Sequence, residues 1–448
     1  MAVMAVVSGS SNYVVVGVAI VIYCLCPYLE TEDGTFRLQV GGQSLYVVQD
    51  VRLISEVHKQ NKSMGNNHFL DTMMAASGIP GPTRARLWSS FTAKRKVPIP
   101  RSITQNMDKT LTPLAASDPL RRSIAEPDEV SLFEWIVDAF IVTISDGAMG
   151  KVCLDMFPEV VDNMFRLQTN IYAIFTRRPR ILAPKAYAAC DKLAQILAKY
   201  FALPREAKIG CAEFVTMAED EIRSAAVSEE ELAKMFVWIY WGMLDNPSTV
   251  AFWLLCRLLH NPGLLSVIRE ECEESFLRNS PITPADIPAR LECCPILKAT
   301  FEETMRIHSG PHVFRHVSED TEIGPYLLRK GSTLLIPYNR LQMSKSHWGL
   351  DAEEFKYQRF LDNPGLANSR YYKPFSDGIH QCGGVAMAPQ LVMYFVAIVL
   401  CRYDVDVLGG IENHPFPRLD TSKGRATVPM PVAGDMFRVT ITPRKSAV

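Results

Sequence analysis

The chain has 448 residues, a formal net charge of -1 at neutral pH and an apolar fraction of 48%. This balanced charge gives no reason to expect a nucleic-acid partner, and the apolar fraction is ample for a large core. No repeat, low-complexity run or Gly/Ser linker divides the sequence, which favours one large domain. The 11 cysteines follow no pairing pattern, which is typical of reduced thiols that face the cytosol.

The first 29 residues contain no charged side chain, and residues 14–26 are continuously apolar or glycine. A membrane-spanning helix needs about 20 largely apolar residues. A cleaved signal peptide usually starts with basic residues, and a buried core helix is usually amphipathic. Residues 1–29 are therefore predicted to be a membrane anchor. Together with the unpaired cysteines, this predicts a single-pass protein of the endoplasmic reticulum membrane with its main domain in the cytosol.

Local signals predict the first folded elements after this segment. Residues 36–40 and 44–48 flank two glycines, which predicts a strand–turn–strand hairpin. Residues 51–60 have helical periodicity. Residues 80–101 are rich in Pro, Arg and Lys, which predicts a loop with a short helix.

A helical pattern with interruptions extends over residues 131–200. Glycine and proline inside such a pattern weaken or end a helix. We therefore expect breaks at Asp146-Gly147, Pro158 and Pro179.

The longest predicted helix covers residues 229–260 and ends at an Asn-Pro-Gly sequence. Pro247 inside it lacks a backbone N–H, which predicts a kink or a local distortion. Two polar side chains, Asp245 and Asn246, stand next to this proline on an otherwise apolar helix. Buried polar side chains need partners, so both residues are candidates for chemistry. A helix bend without any chemistry is the alternative.

A further predicted helix starts near Pro295 and carries Glu303 and Arg306. The three-residue spacing places the two side chains on one helix face. Such a pair usually lies on the surface and contributes little. A buried arginine would instead need a carboxylate together with further acceptors for its planar guanidinium.

The most informative stretch is residues 375–384, which read Phe-Ser-Asp-Gly-Ile-His-Gln-Cys-Gly-Gly. Its Cys382 lies in a glycine-rich loop before an apolar helical run over residues 385–401. N–H groups at a helix start lower the pKa of a thiol, and a thiolate is a metal ligand that nearby N–H groups tune. A lone cysteine is most often a small buried hydrophobe, so the loop around it carries the prediction.

The loop positions Phe375, Gly378, His380, Cys382 and Gly384 resemble the haem-binding loop of the cytochrome P-450 family, whose cysteine thiolate is the axial iron ligand. The resemblance extends from about residue 36 to the C terminus. It implies a mainly α fold with small β-sheets, the haem-thiolate fold, as a catalytic domain over residues 36–448. It also implies that Cys382 binds the iron of haem b.

The resemblance also assigns roles to residues outside the loop. Arg315 matches the family's propionate-binding arginine, and Arg359 is the implied third member of a buried network with Glu303 and Arg306. Asp245 and Asn246 fall where the family keeps an acid–alcohol pair for oxygen activation, with Asn in place of threonine.

The amide at position 246 and the nearby proline resemble the branch that contains cholesterol 7α-hydroxylase and prostacyclin synthase. The resemblance implies that the family's first helix, which usually lies between anchor and hairpin, is missing. Otherwise the chain is most similar to the fungal members of secondary metabolism.

The activity implied by this resemblance is insertion of one oxygen atom from O2 into a lipophilic small molecule, such as a terpenoid, steroid or alkaloid. A membrane-bound reductase would deliver electrons from NADPH. Two alternatives stay open. One is a peroxide-rearranging isomerase of the prostacyclin synthase type, which needs no reductase, and the other is a degenerate haem-binding protein without turnover.

Overall fold

The computed structural model describes residues 34–40, 43–60, 63–65, 74–93, 130–175, 178–277, 286–378, 381–420, 427–436 and 438–444. The predicted anchor, residues 1–29, lies outside the described residues.

The helices are α1 Val51–Lys59, α2 Gly81–Ala93, α3 Leu132–Met149, α4 Lys151–Met156, α5 Val160–Phe175, α6 Pro184–Phe201, α7 Glu213–Arg223, α8 Glu229–Leu259, α9 Pro262–Phe276, α10 Ile287–Glu292, α11 Pro295–His308, α12 Tyr338–Gln342, α13 Lys345–Trp348, α14 Gln358–Asp362 and α15 Met387–Arg402. The strands are β1 Thr35–Val40, β2 Gln43–Val48, β3 Met64–Gly65, β4 Val130–Ser131, β5 His312–Val317, β6 Thr321–Ile323, β7 Tyr326–Leu328, β8 Thr333–Pro337, β9 Tyr403–Val407 and β10 Arg438–Pro443. The predicted fold class, mainly α with small β-sheets, is confirmed.

Five strands form the largest sheet of the described chain, in the order β1-β2-β8-β5-β3. The predicted hairpin is confirmed, since β1 and β2 are antiparallel with Phe36 opposite Val47. The sheet continues with β8 parallel to β2 and antiparallel to β5. Because side chains alternate between the two faces of a strand, Val313, Arg315 and Val317 share the buried face of β5. The sheet therefore carries an arginine into the interior.

The predicted helix after the hairpin is confirmed as α1. The Asp50 carboxylate accepts a hydrogen bond from the Arg52 N–H at 2.6 Å and caps the start of the helix. The α1 residues Ile54 and Val57 are buried, and His58 lies in the last turn of the helix. The packing of α1 thus determines where the His58 side chain stands.

Three predictions on the helical segments agree with the structure. The breaks at Pro158 and Pro179 are confirmed, since both prolines lie between helices. The short helix expected within residues 80–101 is α2, which is 13 residues long. Residues 94–101 lie outside the described residues.

The predicted break at Asp146-Gly147 is wrong. Helix α3 continues through both residues and ends only at Gly150, whose φ of 75° no longer fits a right-handed helix. A glycine inside a helix costs only about 1 kcal/mol relative to alanine. Almost every side chain of α3 is buried, so tertiary packing outweighs this local preference.

The longest helix, α8, starts and ends where the sequence predicts. Ser228 and Glu231 form a capping box at its start, and Asn261 caps the next helix directly after its end. Helix α8 packs against α3, α6, α11 and α15. It is therefore the element around which the helical core is arranged.

A buried network joins α11 to the chain that follows it. Arg306 donates two hydrogen bonds to Glu303, each 2.7 Å long, and both side chains have 0% exposure. Nη1 of Arg306 also donates to the carbonyls of Gln342 and Ala352. Nε of Arg359 lies 3.5 Å from Oε1 of Glu303. The predicted network of Glu303, Arg306 and Arg359 is confirmed.

Gln342 connects this network to the segment before residues 375–384, which are called the cysteine loop below. Its Nε2 donates to the Arg306 carbonyl at 3.0 Å, and its Oε1 accepts the Lys373 N–H at 3.2 Å. The Ser309 hydroxyl, directly after α11, donates to the Pro374 carbonyl at 3.1 Å. The start of the cysteine loop is thus positioned from α11.

Among the described residues, no single helix combines the length and the apolar character of a membrane span. Helices α8 and α9 meet that criterion only as a pair, and they are bent by 115° at the break between them.

We expect Arg306→Ala to lower the free energy of unfolding by roughly 3–5 kcal/mol, because it leaves the buried Glu303 carboxylate without its main partner. Urea denaturation measures this change. Lys298→Ala is the matched control, since Lys298 lies on the same helix and pairs with Glu292 at the surface, where little change is expected. Equal stability of the two variants would show that the buried pair does not hold the fold together.

Candidate active site

The segment around Cys382 is a tight loop closed by backbone hydrogen bonds. The Cys382 N–H donates to the Phe375 carbonyl at 2.9 Å, and the Gln381 N–H donates to the Gly378 carbonyl at 3.1 Å. His380, a predicted site residue, lies outside the described residues.

The thiol of Cys382 is presented at the surface of the loop. The residue is exposed, and its Sγ accepts a hydrogen bond from the Gly384 N–H at 3.4 Å. The sulfur is accessible to a metal and already has one N–H partner, as the sequence predicts.

The pKa of Cys382 is raised, and the prediction that its loop lowers it is wrong. Although the residue is exposed, the chain around it partly desolvates the thiol and raises its pKa, and the hydrogen bond from Gly384 lowers the pKa by less. The helix expected over residues 385–401 starts at Met387, five residues beyond Cys382, and the effect of a helix terminus fades within one turn. A cation at the sulfur is therefore needed to hold the thiolate at neutral pH.

Arg315 is a buried cation with an unused donor. The residue is 3% exposed, and its Nη1 donates to the neighbouring Phe314 carbonyl at 3.3 Å. Within the described residues its Nη2 has no hydrogen-bond partner. Burial lowers the pKa of the guanidinium to about 10, although Tyr338 acts in the opposite direction. A buried guanidinium with an unpaired N–H donor is costly, and an anion that accepts from this donor would stabilise it.

Asp245 and Asn246 lie in the middle of α8. Asp245 is 3% exposed, and Asn246 is half-buried. The carbonyl of Asp245 accepts hydrogen bonds from the hydroxyls of Ser248 and Thr249 at 3.1 and 2.9 Å, and such bonds often bend helices. Helix α8 is continuous through Pro247, and the predicted kink stays a prediction.

One face of α8 next to these residues is not covered by the described chain. Gly242 is exposed although most of α8 is buried, and a side-chain carbon there would meet no atom within 4 Å. Asn246 lies four residues later and therefore on the same face. A ligand can approach the backbone of α8 closely along this face.

Two residues that the sequence analysis missed, His58 and Tyr338, interact electrostatically with Arg315 and lie next to the cysteine loop. The His58 Nε2 and the Tyr338 hydroxyl are 2.8 Å apart, and the His58 ring lies against Gly378. The two residues are 280 positions apart in the chain, so no local pattern marks them. Helix α8 with Asp245 packs against α15, the helix that follows the loop.

The sequence model of the Cytochrome P450 family matches residues 27–423, most of the chain. The chain belongs to the cytochrome P450 family. It is 24% identical to "Cytochrome P450 monooxygenase nodJ" of Hypoxylon pulicicidum, over 92% of this chain and 83% of that protein. It is 23% identical to "Cytochrome P450 monooxygenase poxD" of Penicillium oxalicum, over 86% and 83%. It is 31% identical to the prostacyclin synthase of Bos taurus, over 45% and 44%.

The residues of this P450 fit a haem. Cys382 offers an accessible sulfur for the iron, and Arg315 offers a buried Nη2 for a carboxylate. The uncovered face of α8 at Gly242 allows a ligand to lie against the helix. The protein is accordingly a haem-dependent oxidoreductase of the P450 family.

We expect Cys382→Ser to lose the thiolate-type carbon monoxide band at the red edge of the Soret region, because serine does not ionise to replace the thiolate. The measurement is a carbon monoxide difference spectrum of the reduced protein. Cys293→Ser is the control, since Cys293 is an exposed cysteine outside the loop and its loss should leave the band in place. A wild-type band in Cys382→Ser would contradict the assignment of the ligand.

Proposed function

We propose that this P450 is a monooxygenase that inserts one oxygen atom from O2 into a lipophilic small molecule. In this proposal a membrane-bound reductase delivers electrons from NADPH. The observation that carries it is the Cys382 loop, whose exposed sulfur accepts a backbone N–H. Fungal relatives that carry the name monooxygenase, and that span most of this chain, support it. The resemblance of the sequence to fungal members of secondary metabolism favours a terpenoid, steroid or alkaloid as the substrate.

The chain's own residues would hold the cofactor. Haem b, when bound, supplies O2 binding and O–O cleavage, which a thiolate ligand favours. In this proposal Sγ of Cys382 would bind the iron. The hydrogen bond from the Gly384 N–H would withdraw electron density from the sulfur and so tune the metal. Arg315 and His380 bind the carboxylates, and Gly378 allows the backbone turn of the loop. The φ of 70° at Gly378 is a conformation that favours glycine.

Asp245 and Asn246 would move protons from the buried side of α8 to its uncovered face. An amide donates and accepts hydrogen bonds but does not ionise, so Asn246 can order a water and cannot itself supply a proton. The Asp245 carboxyl group does ionise and can pass a proton to that water. Asp245 is buried and Asn246 is half-buried, which supports this division of roles.

We expect Asp245→Asn and Asn246→Ala to slow NADPH-driven product formation by roughly 10²–10⁴-fold, because each removes one part of a proton path. More of the NADPH consumed should then appear as hydrogen peroxide, with little change in substrate binding. Product and peroxide per NADPH are measured with the reductase and a panel of terpenoids and steroids. Glu230→Gln is the control, since Glu230 is an exposed carboxylate on the same helix. Wild-type product yields in both variants would exclude the proposed roles.

A second candidate is an isomerase of the prostacyclin synthase type, which rearranges a peroxide without electrons. The similarity to prostacyclin synthase and the amide at position 246 favour it. The same purified protein, given a lipid endoperoxide without NADPH or reductase, separates the two activities. Full turnover under these conditions would exclude the monooxygenase. A haem spectrum without turnover in either assay would identify a degenerate haem-binding protein.

We also propose that residues 1–29 anchor the protein in the endoplasmic reticulum membrane, with residues 36–448 as its cytosolic catalytic domain. The uncharged start of the sequence supports this topology. Carbonate extraction of membranes should leave the intact chain in the pellet. Release of the full-length protein into the supernatant would contradict the anchor.

A further inference from the structure

His58, Tyr338 and Gly378 meet at one point although they come from α1, α12 and the cysteine loop. The His58 Nε2 lies 2.8 Å from the Tyr338 hydroxyl oxygen. A side-chain carbon at Gly378 would lie 2.7 Å from the His58 Nδ1, closer than a real contact allows. The ring therefore fits here only because residue 378 is a glycine. Tyr338 is 1% exposed, so its hydroxyl group cannot turn to solvent for partners.

Arg315 acts electrostatically on both His58 and Tyr338, and it forms no ion pair within the described part of the chain. Arg315 is buried, and its Nη2 has no partner within the described residues. The acid on the neighbouring loop, Asp377, is already engaged. Its Oδ2 lies 3.4 Å from the Lys373 Nζ, and its Oδ1 accepts the Gly378 N–H at 2.8 Å. The cluster thus has an unused cationic donor and calls for a carboxylate from outside the chain.

We propose that Tyr338 and Arg315 together bind one carboxylate of the haem, and that His58 sets the direction of the Tyr338 hydroxyl. The inference rests on haem being bound at Cys382. While His58 is neutral and its Nε2 accepts, the Tyr338 proton is donated to the ring. Once His58 is protonated, its Nε2–H donates to the Tyr338 oxygen, and the Tyr338 proton is available to the carboxylate. His58 is then a positioning residue that acts through Tyr338.

The charges around His58 determine how this coupling depends on pH. Arg315 on β5, Lys373 just before the loop and Asp377 within it act on His58, and Tyr338 on α12 contacts it. Burial lowers the His58 pKa below 6.5, both cations lower it further, and Asp377 raises it. A carboxylate bound at Arg315 offsets that cation and raises the pKa again.

By linkage, protonation of His58 then tightens carboxylate binding by the same factor. This contribution is complete below the His58 pKa of the haem-free chain. It is lost as the pH rises through the pKa of the haem-bound protein.

The test is the rate at which the full-length holoprotein loses haem to excess apomyoglobin between about pH 5 and about pH 8. Wild type should lose haem more slowly at the acid end, by roughly tenfold, the effect expected of one hydrogen bond to a charged group. His58→Gln keeps a polar side chain that does not titrate, so its rate of haem loss should not depend on pH over this range. His316→Gln is the matched control, since His316 is exposed on the same strand as Arg315 and should behave as wild type.

A second arm separates carboxylate binding from simple packing. Wild type and His58→Gln are reconstituted with iron protoporphyrin dimethyl ester, whose carboxylates carry no charge. The pH dependence of wild type and its difference from the variant should both disappear. Tyr338→Phe should match His58→Gln, and the double variant should add nothing further, because the residues act in series.

Three outcomes would overturn the proposal: a wild-type pH profile in His58→Gln, an equal effect of the variant with the esterified haem, or a persistent pH dependence of wild type with that haem. The last arm needs no variant, so it decides the matter even where His58→Gln does not fold. The carbon monoxide band of the variant reports separately on Cys382. A normal band with unchanged haem loss would reject the role of His58 and leave the proposed function intact.

Discussion

Two hydrogen bonds between the Arg306 guanidinium and the Glu303 carboxylate lie in a part of the core that water does not reach. A buried ion pair is favourable only where its remaining donors and acceptors are also satisfied. The carbonyls of Gln342 and Ala352 accept from the guanidinium, and the Lys356 N–H donates to the carboxylate at 2.9 Å. These groups belong to separate stretches of chain after α11. Satisfying one pair of charges therefore holds those stretches in place against the helix.

The cysteine loop depends on this arrangement. Gln342, fully buried, accepts the Lys373 N–H and so passes the position of α11 to the residues before the loop. On its other side the loop meets α1, where the His58 ring lies against Gly378. The backbone bond from Cys382 to Phe375 closes the loop between these supports. The sulfur is thus located by contacts from distant parts of the chain, while the sulfur itself stays accessible.

The chain leaves two charges of opposite sign to be completed by a ligand. The raised pKa of Cys382 means that a cation must stabilise the thiolate, and the buried Arg315 needs an anion. A cofactor with a metal at its centre and carboxylates at its edge satisfies both, which is the physical reason that a haem fits. Neither charge distinguishes oxygen insertion from peroxide rearrangement. In the proposed function, that choice depends on the protons that Asp245 and Asn246 would supply from α8.

Local signals were sufficient for much of this protein. The hairpin, both ends of α8 and the spacing of the Cys382 loop were predictable, because caps, turns and motifs act between residues close in sequence. The tertiary structure alone decided the rest. It carried α3 through Gly147, since burial outweighs the weak helix propensity of one glycine. In the folded chain α15 begins too far beyond Cys382 to lower the pKa of its thiol. His58 and Tyr338, 280 positions apart in the sequence, are in contact. Desolvation and long-range contacts depend on packed neighbours, and a linear pattern does not specify which neighbours those are.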